Sequence, residues 1–249
     1  MVTFLTHHIK ERFYKPCMRK LDRWRRHVLR WRDANVAKLP PGATLQPCYS
    51  VDGTLVPIAV PSIDQGLWYS GKSGQHCMNF QALVAPNGLA VFAHGPEPGS
   101  YHDAKAFRLS ELPQRLARLH ARMFQAAGGQ LCGLADLAYP LSPDLITPFK
   151  RAGGAPLTPV QAAFNTEVIA PVRVSPEHYF GIVGSLWKRV DCKRGMQLYK
   201  QSVGNTYIAA MMLTNCHACL YGNQISEAFQ CEAPSMEDYL GDLTRLIPA

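Results

Sequence analysis

Cys48-Tyr49-Ser50-Val51-Asp52-Gly53-Thr54-Leu55-Val56 is the stretch whose reading decides the fold. It lies within a strand-like segment, residues 46–60. Asp-Gly-Thr alone is a common turn, so Asp52 gains meaning only from the segments beyond it. Two further strand-like segments come next. Residues 76–85 end in Pro86-Asn87-Gly88, a turn signal, and Leu89–His94 comes directly after, which predicts a hairpin.

Residues 104–122 read as a helix, with Ala106, Leu109, Leu112, Leu116 and Leu119 on one side. Leu131–Leu134 is a short apolar strand that delivers Asp136 at its end. Pro and Gly mark 140–159 as a long loop. Thr158-Pro159 and Ser175-Pro176 each read as an N-cap followed by Pro at the first helical position. A last helix is expected over 202–221, and residues 222–249 read as a loosely held tail.

The order strand, strand, strand, helix, strand, helix predicts an α/β chain, with an RNase H-like mixed sheet flanked by helices. In that fold strands one and four are neighbours. Asp52 on the first strand, Asp136 after the fourth and Glu177 on a later helix would then converge at one edge of the sheet. The division expected is a basic N-terminal helical segment (1–42), the α/β domain (43–221) and the tail (222–249).

The chain has 249 residues, 47% of them apolar and 18% charged, as expected for a globular core. No apolar run is long enough to span a bilayer, and residues 1–8 lack the apolar stretch of a secretory signal, so no membrane partner is expected. The eight cysteines are scattered and are expected as reduced thiols in cytosol or nucleus. The net charge of +8 is uneven: residues 1–40 hold eleven Lys and Arg against three Asp and Glu, and the other 209 hold fifteen of each. A basic segment on a neutral body suits a polyanion. Over residues 9–38, Cys17, Leu21, Trp24, Val28 and Trp31 recur at spacings of four and three, an amphipathic helix. Its arginines, among them Arg23, Arg26 and Arg30, are either a solvated face or phosphate contacts.

Asp52, Asp136 and Glu177 fit a carboxylate site for a hard divalent cation such as Mg²⁺ or Mn²⁺. Two such ions clamp the attacking and leaving oxygens of a phosphodiester. Asp103, in Gly99-Ser100-Tyr101-His102-Asp103, is either a helix cap or site support, or a further metal ligand. Gly66-Leu67-Trp68-Tyr69-Ser70-Gly71-Lys72-Ser73 has the letters of a phosphate-binding loop, but Pro61–Gln65 before it is no strand and a strand comes after it. Lys72 and His76 are better read as contacts to a nucleic-acid backbone. Cys216-His217-Ala218-Cys219 sits in an apolar helix, and core thiols are favoured over zinc, for which Cys192 and Cys231 are the other candidate ligands. Gly181 and Gly184 share the face of Glu177; their cost in a helix implies close approach by the sheet or by nucleic acid.

An ordered series of motifs carries a resemblance. It comprises Asp52-Gly53-Thr54, Tyr69-Ser70-Gly71-Lys72 with His76, Asn79-Phe80-Gln81, and Pro98-Gly99-Ser100-Tyr101-His102-Asp103-Ala104 with Phe107. It continues through Asp136-Leu137-Ala138-Tyr139-Pro140-Leu141, Thr147-Pro148, Phe164-Asn165, Glu177-His178-Tyr179-Phe180-Gly181 and Asn215-Cys216. The set resembles the DDE endonuclease domain of PIF/Harbinger-type transposases and the nucleases derived from them.

The resemblance implies a catalytic and metal-binding triad of Asp52, Asp136 and Glu177, with Asp103 as a further acid of the site. Asp52 would bridge two Mg²⁺ or Mn²⁺ ions, with Asp136 on one and Glu177 on the other. It implies DNA cutting and rejoining in the nucleus, often beside a separate Myb-like DNA-binding partner. Oligomeric state stays open. This chain departs from the family in carrying Ala135 where Gly usually precedes the second Asp. Its forty residues between Asp136 and Glu177 are a slightly longer gap than usual, and its N-terminal helical region is shorter. The alternative expectation is therefore a catalytically inactive domesticated or truncated transposase that binds DNA or protein partners.

Overall fold

Asp52 sits on the central strand of a six-stranded mixed sheet flanked by helices. The computed structural model describes residues 2–151, 153, 155–191 and 196–241. Its strands are β1 (Pro47–Pro57), β2 (Tyr69–Ser70), β3 (Gln75–Val84), β4 (Ala90–Pro98), β5 (Cys132–Ala135) and β6 (Leu145–Ile146). β1 pairs antiparallel with β3 and parallel with β5; β4 pairs with β3, and β6 continues the parallel side beyond β5. This is the expected neighbouring of first and fourth long strands, consistent with an RNase H-like fold.

The predicted hairpin forms. Gly88 takes φ +80° at its tip, a conformation that favours glycine. Ala85 and Leu89 close it through Ala85 N to Leu89 O at 3.0 Å. β6 falls inside the expected loop 140–159. Two residues leave no period to read, and β6 exists because Gly133 and Leu134 of β5 offer Leu145 and Ile146 a free edge.

The expected helix over 104–122 is two helices, Asp103–Leu109 and Leu112–Ala127. Between them Glu111 takes φ +60°, and Ser110 Oγ accepts from Leu112 N (3.1 Å) while donating to Phe107 O (2.6 Å). Leu112, Leu116 and Leu119 are buried as expected, but Leu109, ending the first helix, is half exposed. Thr158 forms the predicted cap: its Oγ1 accepts from Gln161 N (3.3 Å) and Gln161 Oε1 accepts from Thr158 N (3.0 Å). Ser175 does not cap. The Ala170–Arg173 turn runs on into the helix Ser175–Leu186, and Ser175 Oγ donates back to Val172 O (3.0 Å).

The N-terminal segment is not one helix over 9–38. It breaks into a helix (Val2–Ile9), a π turn (Lys10–Tyr14), a short helix (Lys15–Met18), a 3₁₀ stretch (Leu21–His27) and a helix (Val28–Val36). The break falls at Arg19, whose guanidinium lies over the Phe92 ring of β4. The apolar stripe survives: Cys17, Leu21, Trp24, Val28 and Trp31 are all buried.

What that stripe meets corrects the expected loose tail. Gln224–Ala228 and Met236–Leu240 are helical, and Tyr239 is fully buried, stacked on Trp24 at 6.2 Å. Asn223 Nδ2 donates to Gly88 O (3.0 Å), fastening the segment to the hairpin. Residues 242–249 lie outside the described residues. Arg23 belongs to the same junction. Its Nη1 donates to Pro16 O (2.9 Å), and its Nη2 to Asp238 O (2.9 Å) and Tyr239 O (2.6 Å). A guanidinium committed to three carbonyls is a structural clasp. Arg23→Ala is therefore expected to cost about 1–3 kcal/mol in thermal or urea denaturation, and to leave the expected affinity for a polyanion such as DNA unchanged in a binding titration. A large fall in DNA affinity without destabilisation would restore the phosphate-contact reading.

No helix among the described residues is long and apolar enough to cross a membrane. The seven described cysteines are free thiols.

Candidate active site

The strand register brings the first two acids together. Val51 of β1 is paired with Ala135 of the parallel β5. Asp52 and Asp136 are the next residues along, so both emerge at the same level of neighbouring strands. The β5 strand ends at that point, and Asp136 turns the chain by accepting from Ala138 N at 2.7 Å. Asp52 Oδ1 accepts from Gly53 N at 2.7 Å.

Glu177 comes from the first turn of the helix Ser175–Leu186. Ser50 Oγ on β1 donates to Val172 O (3.0 Å), which holds the turn before that helix against the strand carrying Asp52. Asp52, Asp136 and Glu177 thus line one open recess of about 420 Å³, with Gly53, Lys72, Leu137, Pro148 and Arg173.

Asp103 is at the edge of the same region, but it is not a cap. His102 precedes the helix Asp103–Leu109, neither residue makes a side-chain capping bond, and Asp103 is the first helical residue. A carboxylate there is favoured by the helix dipole. Its Oδ1 accepts from Asn79 Nδ2 (3.1 Å), and its Oδ2 is 3.9 Å from Lys72 Nζ. A Cβ on residue 53 would stand 2.6 Å from Asp103 Oδ1, so glycine is required there for the third Asp to approach the first.

Burial pushes the Asp52 carboxyl up to about 6. The Gly53 N–H opposes that rise, Asp136 adds to it, Arg173 opposes it and Asp103 adds to it. Asp52 is thus an anion short of positive charge. The buried Tyr139 hydroxyl has no hydrogen-bond partner, and burial together with Asp103, Asp52 and Asp136 holds its ionisation well above the usual phenol range. An all-oxygen donor set short of positive charge fits a hard divalent ion. The fit is incomplete in one respect. Among the described residues, no three His, Cys, Asp or Glu side chains stand close enough to cage an ion. The place between Asp52 and Glu177 is taken by Arg173, whose Nη1 lies 3.8 Å from one and 2.7 Å from the other.

The family described as DDE superfamily endonuclease matches residues 51–215, which begins at Val51 and ends at Asn215. The chain belongs to the DDE superfamily endonuclease family. No curated protein matches the chain, and no solved structure does. The matched span of this DDE endonuclease chain contains all four acids of the recess and its edge, together with Lys72 and Arg173.

The other residues named from sequence are placed as follows. Lys72 lies in the turn after β2, exposed, between the recess and Asp103. The phosphate-loop letters around it form a helical turn (Gln65–Trp68), then β2, with no helix after it, so the backbone lacks the strand-to-helix geometry that cradles phosphate. His76, in β3 opposite Tyr69, meets that ring edge-on at 5.4 Å. Arg26 pairs with Asp238 at 2.7 Å, and Arg30 lines a separate depression with Glu227 and Glu232. Neither lines the acidic recess. Nothing stands within 4 Å of a Cβ at Gly181, so the sheet is not what approaches it. Cys216 and Cys219 are half-buried thiols, pushed by burial up to about 11 and about 12; Cys192 lies outside the described residues. Arg173 is the residue that sequence reasoning missed. Its only signal was its position four residues before Glu177.

Proposed function

We propose that the chain is a divalent-metal-dependent DNA endonuclease or strand transferase of the PIF/Harbinger type, in which Asp52, Asp136 and Glu177 hold Mg²⁺ or Mn²⁺. One observation carries this reading: three acids far apart in sequence, on two strands and a helix, open on one recess. Asp52, Asp136 and Glu177 would supply the oxygen ligands, with Asp103 at the edge as a fourth acid. When bound, such ions activate a water or a free 3′-hydroxyl and stabilise the leaving oxygen.

The chain's own groups have separate tasks. Asp52 sits on the central strand of the sheet, so it sets the position to which the others are aligned. Lys72, exposed at the rim, would meet a backbone phosphate. The basic N-terminal segment adds salt-dependent attraction for the polyanion. Residence in the nucleus and work beside a separate Myb-like DNA-binding protein go with this placement in the family.

The Arg173 guanidinium favours a second reading, a domesticated chain whose triad is neutralised internally and which keeps the fold for binding. Supercoiled plasmid separates the two. The nuclease reading expects nicked product in Mg²⁺ or Mn²⁺ and none with chelator. Tight, salt-sensitive DNA binding without metal-dependent nicking would establish the second reading and end the first.

A further inference from the structure

Arg173 stands within ion-pair range of two of the three acids, and they come from different elements. Its Nη1 is 2.7 Å from Glu177 Oε1 and 3.8 Å from Asp52 Oδ2. The contact with Glu177 alone would be an ordinary pair at a spacing of four along a helical segment, worth little at a surface. The contact with Asp52 is different. It crosses from a helical turn to the central strand, and the bond from Ser50 Oγ to Val172 O, one residue before Arg173, holds that crossing in place. The side chain is 26% exposed and faces the recess shared with Asp136 and Lys72. Among the described residues no Lys, Arg or His pairs with Asp136. The nearest parallel, Lys72 on Asp103, has a similar separation of 3.9 Å but comes from a largely exposed ammonium, where Arg173 is mostly buried.

We propose, building on the reading of the acids as a divalent-metal site, that Arg173 is the protein's own counter-ion for that site and is exchanged for the metal. In the metal-free protein its guanidinium holds Asp52 and Glu177 together. A guanidinium keeps its charge, so a divalent cation taken up by the same two carboxylates repels it and favours its turn toward solvent. The freed planar fork then faces the place where a phosphate must lie, and Arg binds phosphate through two parallel N–H donors. Metal loading and grip on the nucleic-acid backbone are thereby coupled through one side chain, and the coupling is reciprocal.

The test is Mn²⁺ affinity of the full chain without nucleic acid, by calorimetry or electron paramagnetic resonance. It compares the unmodified protein with Arg173→Gln, Arg173→Lys and Asp52→Asn, each checked for folding by circular dichroism. Affinity for a labelled DNA duplex is measured in parallel, with Ca²⁺ and with chelator. Arg173→Gln is expected to bind Mn²⁺ at least about tenfold more tightly, since a competing charge at this range shifts occupancy by a power of ten or more. It is expected to bind duplex more weakly in Ca²⁺ but not in chelator, where the arginine is engaged with the acids. Arg173→Lys, which keeps the charge and loses the fork, should stay near the unmodified protein for Mn²⁺ and share the loss on duplex. Unchanged or weaker Mn²⁺ binding by Arg173→Gln, with binding still abolished by Asp52→Asn, overturns the exchange while the metal site stands. Mn²⁺ binding that Asp52→Asn leaves intact overturns the metal site and the exchange with it.

Discussion

Asp52→Asn is expected to abolish the proposed metal-dependent DNA cleavage, by about three orders of magnitude or more, and at the same time to stabilise the metal-free protein at neutral pH. The two effects have one cause. Asp52 is 14% exposed and lies with Asp136 and Asp103 near it, so its carboxyl ionises at about 6 in the folded chain against 3.8 for the ordinary group. The folded state binds the proton more tightly than the unfolded state does. Asp52 therefore contributes stability that is fully present below about pH 4 and is lost as the pH rises through about 6. That difference amounts to about 3 kcal/mol. Asn has no proton to lose and keeps an oxygen for the Gly53 N–H. The variant should denature later than the unmodified protein at pH 7.5, and the gap should close at pH 4. Mg²⁺ should raise the midpoint of the unmodified protein and not of the variant. A variant less stable at both pH values, or one that still nicks DNA in Mg²⁺, is incompatible with a buried carboxylate awaiting a cation.

Asn215→Leu is expected to cost about 3–5 kcal/mol, near the upper end for a single residue. Asn215 is fully buried. Its Oδ1 accepts from Ala90 N (3.0 Å), and its Nδ2 donates to Ala90 O (2.8 Å) and the Tyr239 hydroxyl (3.0 Å). The Tyr179 hydroxyl stands 3.0 Å from Oδ1 and donates to Met211 O at 2.7 Å. Leucine fills the volume but strands Ala90 N, Ala90 O and Tyr239, each costing about 1–3 kcal/mol when buried unpaired. The damage extends beyond stability. Asn215 joins the helix Val203–Tyr221 to β4, to the C-terminal helix and to the helix that carries Glu177. Metal-dependent cleavage measured well below the new melting temperature should therefore fall as well. A loss under 1 kcal/mol in chemical denaturation would show that the hub is redundant.

Asp52, Asp136 and Glu177 stand out because each sits in a local pattern that survives without tertiary context: a strand-like run, an apolar strand end, a Pro at a helix start. Arg23 shows the opposite. A basic residue on an amphipathic segment looks the same from sequence whether it meets phosphate or carbonyls, and its three carbonyl partners lie at Pro16 and at residues 238 and 239. The C-terminal segment reads as a loose tail because Tyr239 is a single apolar anchor in a five-residue helix, too short to show a period. A cap is one of the roles the sequence leaves open for Asp103, and the structure puts it one residue inside the helix; a cap and a first-turn acid differ in backbone angle and not in composition.

By itself, the sequence determined the order of the four longer strands, the hairpin at Gly88, the buried stripe of the N-terminal segment and the identity of the acids. All of these rest on contacts between near neighbours, or on the alternation that burial of one face imposes. Only the tertiary structure decided that Val51 lies opposite Ala135, which sets Asp52 beside Asp136. It also decided that the C-terminal helix closes over Trp24, and that Arg173 stands between Asp52 and Glu177. Register, long-range packing and the pairing of distant charges depend on which surfaces remain unburied after the local elements have formed, and no local window of the chain records that.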